Sequence, residues 1–271
     1  MTDAPSYAPS PGSPPLETRR EGPVLVLTLH RPERLNAVTL PLYRALSERL
    51  DEAAQDPEVR CVVLAGAGRA FCVGADLKAH ASGPPDGELR RTYVAAAQEA
   101  NRRIQLGPVP VVAAVHGHAI GAGLELALSA DFAVVAEEAK LRFPELLLGT
   151  FVGGGTVYTL AERVGTLKAR ELLYLGEFFS GREAAAWGVA WRAVAADRVL
   201  EEAMSLARRL TERAPRSLAW AKRLVGPAGT LPRARALALE ARALEEAFGT
   251  RDWKEGLEAF REKRTPRFTG E

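Results

Sequence analysis

Two acidic side chains stand where a charge is costly. Glu125 lies in the run AGLELALSA, and Glu145 follows Pro144 in RFPELLLGT. An ionised carboxylate among apolar neighbours is expensive unless paired or hydrogen-bonded, so burial keeps such a group protonated to higher pH and suits it to proton transfer. Two glycine-containing segments could supply complementary chemistry. Gly66–Asp76, GAGRAFCVGAD, directly follows an apolar run, and backbone N–H groups in such a loop can bind a developing negative charge. Gly117–Asp131, GHAIGAGLELALSAD, puts Gly121, Ala122 and Gly123 at a helix start, where the first N–H groups have no partner inside the helix. Glu125, three residues beyond Ala122, shares its face. Each feature also has an ordinary reading: a tight turn for the first loop, a surface ion pair for Glu125, a first-turn acid for Glu145. Pro144 bars a regular helix just ahead of Glu145 and favours an extended or turn conformation there.

The elements that would hold these residues follow from periodicity. Pro23–Leu29, Arg60–Ala65, Val111–Val115 and Asp131–Ala136 are short, Val-rich and apolar on both faces, the pattern of strands covered on both sides. Helical patterns lie between them: Leu40–Gln55, with Leu42, Leu46, Leu50 and Ala53 on one face, Arg90–Leu106, and the short, nearly all-apolar Gly121–Ala130. Strands alternating with helices give an α/β fold with right-handed crossovers. A spiral of strand–strand–helix repeats and a doubly wound sheet both satisfy this pattern. After about residue 195 the sequence is helical throughout: Val199–Ala214, Arg216–Val225, Leu231–Phe248 and Asp252–Lys263.

The whole chain sets outer bounds. Its 271 residues, 47% hydrophobic and 26% charged, describe an ordinary globular protein with no apolar run of membrane-spanning length. A net charge of +2 implies no obligate nucleic-acid partner. Cys61 and Cys72 are expected to be buried reduced thiols, and the spacing of His116 and His118 suits no metal motif. Residues 1–15, rich in Pro, Ser and Ala, read as a disordered tail without the features of a secretory or transit signal, so the cytoplasm is the expected location.

RAFCVGAD, IGAGLELALSAD and RFPELLLGT, in this order, with RPERLNAV before them and TRDWKEGLEAFREKRTPRF after them, resemble the enoyl-CoA hydratase (crotonase) family from about Leu16 to the C-terminus. The resemblance implies a crotonase-like spiral of repeated ββα units over residues 16–197 and a C-terminal helical trimerisation region over 198–271. It implies an acyl-CoA substrate, coenzyme A being part of the substrate and no other cofactor being needed, and a trimer or dimer of trimers. By motif, Ala75 and Ala122 would supply two oxyanion-hole N–H groups; relatives often carry glycine at the latter position, and the backbone donor survives that change. Glu125 and Glu145 would be the catalytic acids, and Gly153 would approach the water. Arg34, Leu35, Ala37, Gly74, Asp76, Leu77, Lys78 and Gly121 would border the CoA ester. Phe260 and Lys263 would reach the CoA of a neighbouring subunit. The sequence departs from the family in RFPE, where Gly-Gln-Pro-Glu is common, and in GGGTVYTL, which lacks a frequent Gln. Both border the acyl pocket, as would a loop at His80–Arg91.

The reaction implied is hydration of a 2-enoyl thioester. Isomerisation, decarboxylation and thioester hydrolysis are the alternatives within the family. RNA binding through Arg90, Arg91, Arg102 and Arg103, or a silent scaffold subunit, are the alternatives outside catalysis.

Overall fold

The computed structural model describes residues 14–76 and 87–271. Leu77 and Lys78, most of the expected tail and most of the expected 80–91 loop lie outside the described residues. The four apolar runs form the middle of a six-stranded sheet. Its members are β1 (Leu16–Glu21), β2 (Val24–Leu29), β3 (Cys61–Gly66), β4 (Val111–Val115), β6 (Phe132–Ala136) and β9 (Arg192–Val194), and its order is β1-β2-β3-β4-β6-β9. All neighbours are parallel except β1 and β2. Burial on both faces explains why β2, β3 and β4 are built almost entirely of Val, Leu and Ala. At the edge, β1 exposes most of LETRRE, and its lack of an apolar face hid it from periodicity.

A second sheet settles which α/β spiral this is. β5 (His118–Ile120), β7 (Lys140–Arg142) and β8 (Phe179–Ser180) form it in the order β5-β7-β8. Two bridges, Val38 with Ala75 and Cys72 with Ala119, join the earlier turns of the chain to the same row. Each turn thus places one strand in the large sheet and a second short stretch in the small one. Strand order in the large sheet never reverses, so the doubly wound alternative is excluded.

Helices α1 (Leu40–Gln55) and α2 (Gly87–Leu106) pack on each other, and α1 turns Leu42, Leu46, Leu50 and Ala53 into the core. Thr39 caps α1 by accepting from the Leu42 N–H. The apolar α3 (Ala122–Ser129) is buried almost entirely, as its composition requires. α4 (Thr156–Leu175) carries a break at Gly165, and α5 (Gly181–Trp187) begins with a capping box between Ser180 and Glu183. Periodicity picked out neither. α6 (Val199–Thr211) crosses β2, β3, β4 and β6 and seals the large sheet.

The remaining helices are α7 (Pro215–Val225), α8 (Arg233–Phe248) and α9 (Arg251–Glu262). Lys222 of α7 is pinned to the core by Asp131 at 2.8 Å and by the Ile104 and Val109 carbonyls at 2.7 and 2.9 Å. A buried ammonium is tolerable when its donors are used in this way. α8 has no buried residue, and Leu237, Leu244 and Phe248 stay at least half exposed. Among the described residues no helix is long and apolar enough to cross a membrane. Cys61 and Cys72 are free, buried thiols, each pushed up to about 12 mainly by burial.

Candidate active site

The small sheet is the frame of the site. Asn36, fully buried, accepts from the Arg31 N–H and donates to the Ala67 and Ala70 carbonyls. It ties the RPERLNAV turn to the 67–76 loop. Three backbone bonds continue the seam: Val73 N–H to Leu35 O at 3.2 Å, Val38 N–H to Gly74 O at 2.8 Å and Asp76 N–H to Val38 O at 3.3 Å. Arg31 also pairs with Asp76 at 3.1 Å. The seam places Leu35, Ala37, Gly74, Ala75 and Asp76 along one edge, and Arg34 is exposed at its outer end.

Across this edge stands the start of α3. Gly121, its N-cap, donates to the Arg142 carbonyl at 2.9 Å and leaves Ala122 as the first helical residue. The two elements are in close contact: a Cβ on Gly74 would lie 2.7 Å from Ile120 O and 3.4 Å from the Ala122 nitrogen. Among the described residues neither the Ala75 nor the Ala122 N–H has a hydrogen-bond partner. Two unpaired donors on facing chain segments are able to receive a developing negative charge.

Both acids are buried beside this pair. Glu125 is 5% exposed and Glu145 8%. Glu145 opens the single 3-10 turn Glu145–Leu148, with Pro144 as its N-cap, so the turn expected from the proline is there and carries a buried acid. A Cβ on Gly121 would sit 2.5 Å from Glu145 Oε1, and the Glu125 N–H donates to the Gly121 carbonyl at 2.9 Å. Gly121 thus packs directly against the Glu145 carboxylate. Among the described residues Glu145 Oε2 is buried without a hydrogen-bond partner, which leaves it free to engage a reacting molecule.

The Gly153 N–H donates to Glu125 Oε1 at 2.7 Å. It positions the acid.

Burial pushes Glu125 up to about 7; the Gly153 N–H opposes this and the Glu145 carboxylate adds to it. Glu145 is raised as well, chiefly by burial, against the pull of its own N–H and the Arg142 guanidinium. Two neighbouring acids raised together titrate as a unit, with one proton held near neutrality. This makes Glu125 a pH-dependent burden on folding. Its ordinary value is 4.5, so between there and about 7 the unfolded chain has lost a proton the native chain retains, and stability falls as pH rises across that window. Glu125→Gln is expected to remove this slope. In urea melts it should gain stability over wild type between pH 5 and pH 8, on the order of 3 kcal/mol, since each pH step of one across the window is worth about 1.4 kcal/mol. An unchanged difference between the two pH values would contradict the assignment.

Two residues near the acids carried no sequence signal. Tyr43, on the core face of α1, is buried within the field of Glu125. Arg142 stacks over Phe178 at 4.8 Å and faces Glu145. A cleft of about 640 Å³, lined by Phe151, Val152, Gly153, Thr156, Val157 and Tyr158 among others, opens beyond Gly153. A second, of about 570 Å³, is bordered by Leu35, Val73 and Ile120. Phe260, 83% exposed, and Lys263 stand at the end of α9 outside this group. Arg102 is paired with Glu99, and Arg103 with Asp51 and Glu99, so half of the basic run on α2 is neutralised.

Known proteins are similar to this chain in sequence and fold. Residues 19–271 match the enoyl-CoA hydratase/isomerase family model. A Bacillus subtilis protein named "Probable enoyl-CoA hydratase" is 40% identical over 251 residues, 92% of this chain and 96% of that one. The 1,2-epoxyphenylacetyl-CoA isomerase of Escherichia coli is 35% identical over 249 residues, 91% of this chain and 95% of its own. The crystal structure of an enoyl-CoA hydratase from Bacillus anthracis superposes with a TM-score of 0.90 at 32% identity, over 95% of this chain and 100% of that one.

Proposed function

The chain belongs to the enoyl-CoA hydratase/isomerase family, and from that premise we propose that it hydrates a 2-enoyl-CoA thioester in acyl-CoA catabolism. The observation that carries the reading is the pair of buried acids, Glu125 and Glu145, beside two unpaired N–H donors, Ala75 and Ala122. Hydration needs these parts together. Oxygen from water bonds to C3 while one acid takes its proton, the C2–C3 π electrons move toward the thioester oxygen, and the other acid delivers a proton to C2. The charge gathering on that oxygen meets the two donors, each contributing about 2.7–4 kcal/mol in related acyl chemistry. Atoms balance without a further cofactor. The acyl chain extends into the cleft beyond Gly153. The CoA portion runs past Leu35, Ala37 and Asp76, with Phe260 and Lys263 contributed by a neighbouring copy in a trimer or dimer of trimers. The exposed apolar stripe of α8 supports such an assembly.

The test is a panel of 2-enoyl-CoA esters varied in length, branching and aromatic character. Hydration removes the conjugated enoyl-thioester absorbance and yields a 3-hydroxyacyl-CoA. No hydration of any member would defeat the reading, and turnover of a 3-enoyl or epoxide ester alone would replace it with isomerisation.

A further inference from the structure

The glycine loop that holds Glu125 is itself held. Gln98, Asn101 and Gln105 recur along one face of α2. All three reach the Gly153–Gly155 segment or its anchor. The Gly154 N–H donates to Gln98 Oε1 at 3.0 Å, and Gln105 Nε2 donates to the Gly154 carbonyl at 2.5 Å. Gln105 Nε2 also donates to Ser129 Oγ at 2.9 Å, and Ser129 Oγ donates to Asn101 Oδ1 at 2.7 Å. Asn101, 1% exposed, lies flat against Gly154, where a Cβ would meet its amide at 2.7–3.0 Å. Ser129 sits one helical turn beyond Glu125 on α3, on the same face. The contacts therefore close a ring: Glu125 to Gly153, Gly154 to Gln105, Gln105 to Ser129, and back along α3.

We propose that Gln98, Asn101, Gln105 and Ser129 are positioning residues that aim the Gly153 N–H at Glu125 and so set the protonation and placement of that acid.

The physical need is plain. Gly154 and Gly155 both hold positive φ, +62° and +74°, and a run of glycines loses much conformational freedom on being fixed. Without side chains clamping both the N–H and the carbonyl of Gly154, the direction of the preceding N–H is poorly determined. Among the described residues that N–H is the one hydrogen bond drawing Glu125 back toward its charged form against burial. Among the described residues the other titratable groups facing Glu125 are Glu145 from the 3-10 turn, Tyr43 from α1 and Cys72 from the 67–76 loop. None of them belongs to the ring, so its loss should be felt through the Gly153 bond alone.

The inference rests on the proposed role of Glu125, but part of its test does not need turnover. In protein carrying ¹³C-carboxyl glutamate, the Glu125 signal is assigned by its absence in Glu125→Gln and followed against pH. Gln105→Leu, Ser129→Ala and Gln98→Met should each move its inflection to higher pH. Ser129→Thr, which retains the hydroxyl, should bring it back. On whichever ester the panel identifies, Gln105→Leu should lower kcat by about 10²-fold, the scale of a small misplacement, with KM little changed. Gln98 is exposed, so Gln98→Met tests the ring even where a buried substitution fails to fold. An unmoved inflection in a folded variant would overturn the inference. Should the inflection move while no enoyl-CoA is hydrated, the positioning role stands and the hydratase reading falls.

Discussion

Glu145→Gln and Glu125→Gln are each expected to lower turnover of a 2-enoyl-CoA by about 10²–10⁴-fold, the usual contribution of a positioned acid or base, while a saturated acyl-CoA still binds. Glutamine keeps the shape and one acceptor oxygen, so Gly153 can still donate to residue 125 and the fold has no reason to change. What disappears is a group able to exchange a proton near neutrality. In the proposed mechanism the two acids serve one addition, so removing both should cost little more than removing one. Stopped-flow loss of the enoyl absorbance measures the chemistry, and calorimetric titration with a saturated ester measures binding. Near-normal turnover in either variant would remove that residue from the mechanism. A loss of binding equal to the loss of turnover would instead assign it to ground-state recognition.

Gly123→Ala is expected to cost a comparable amount without replacing a titratable group. A Cβ at this position would lie 2.2 Å from the Cys72 carbonyl oxygen, 2.7 Å from its carbon and 2.8 Å from the Cys72 Cβ. None of these atoms is the end of a flexible side chain, so α3 must move away from the 67–76 loop. The Ala122 donor rides on α3 and the Ala75 donor on the loop. Parting them should take at least one out of reach of the thioester oxygen, a loss of about 10²–10³ in kcat per donor. Overpacking should also lower stability, by about 1–3 kcal/mol. The vibrational frequency of the bound thioester carbonyl separates the two effects: it should return toward its value in solution if the donors have parted. Gly226→Ala, at a glycine with negative φ and open space around it, is the control and should leave both readings in place. A bound carbonyl still fully polarised in Gly123→Ala would show that the oxyanion hole does not depend on this contact.

Much of the frame was legible in the sequence because local chemistry dictated it. Val-rich runs buried on both faces had to be interior strands, and four of them are, parallel as expected. Leu40–Gln55 carried its own apolar stripe and is found with those bounds. The polar edge β1 and the two- and three-residue strands of the small sheet were not legible. A strand that short has no period, and a strand of charged residues has no apolar face; their place comes from partners distant in the chain. The choice between a spiral and a doubly wound sheet was lost for the same reason, since it depends on which strand pairs with which.

The site divides along the same line. By itself the sequence determined that two carboxylates stand in apolar surroundings and that two glycine-containing segments offer backbone donors, because composition within a few residues sets desolvation and helix starts. Only the tertiary structure decided that these belong to one site. Gly121 comes to lie against the Glu145 carboxylate, Gly153 turns its N–H to Glu125, and a polar face of α2, from a different turn of the spiral, holds the adjoining Gly154 in place. Hydrogen bonds between residues tens of positions apart leave no pattern in any short window of sequence, yet the one from Gly153 to Glu125 holds that carboxylate in place.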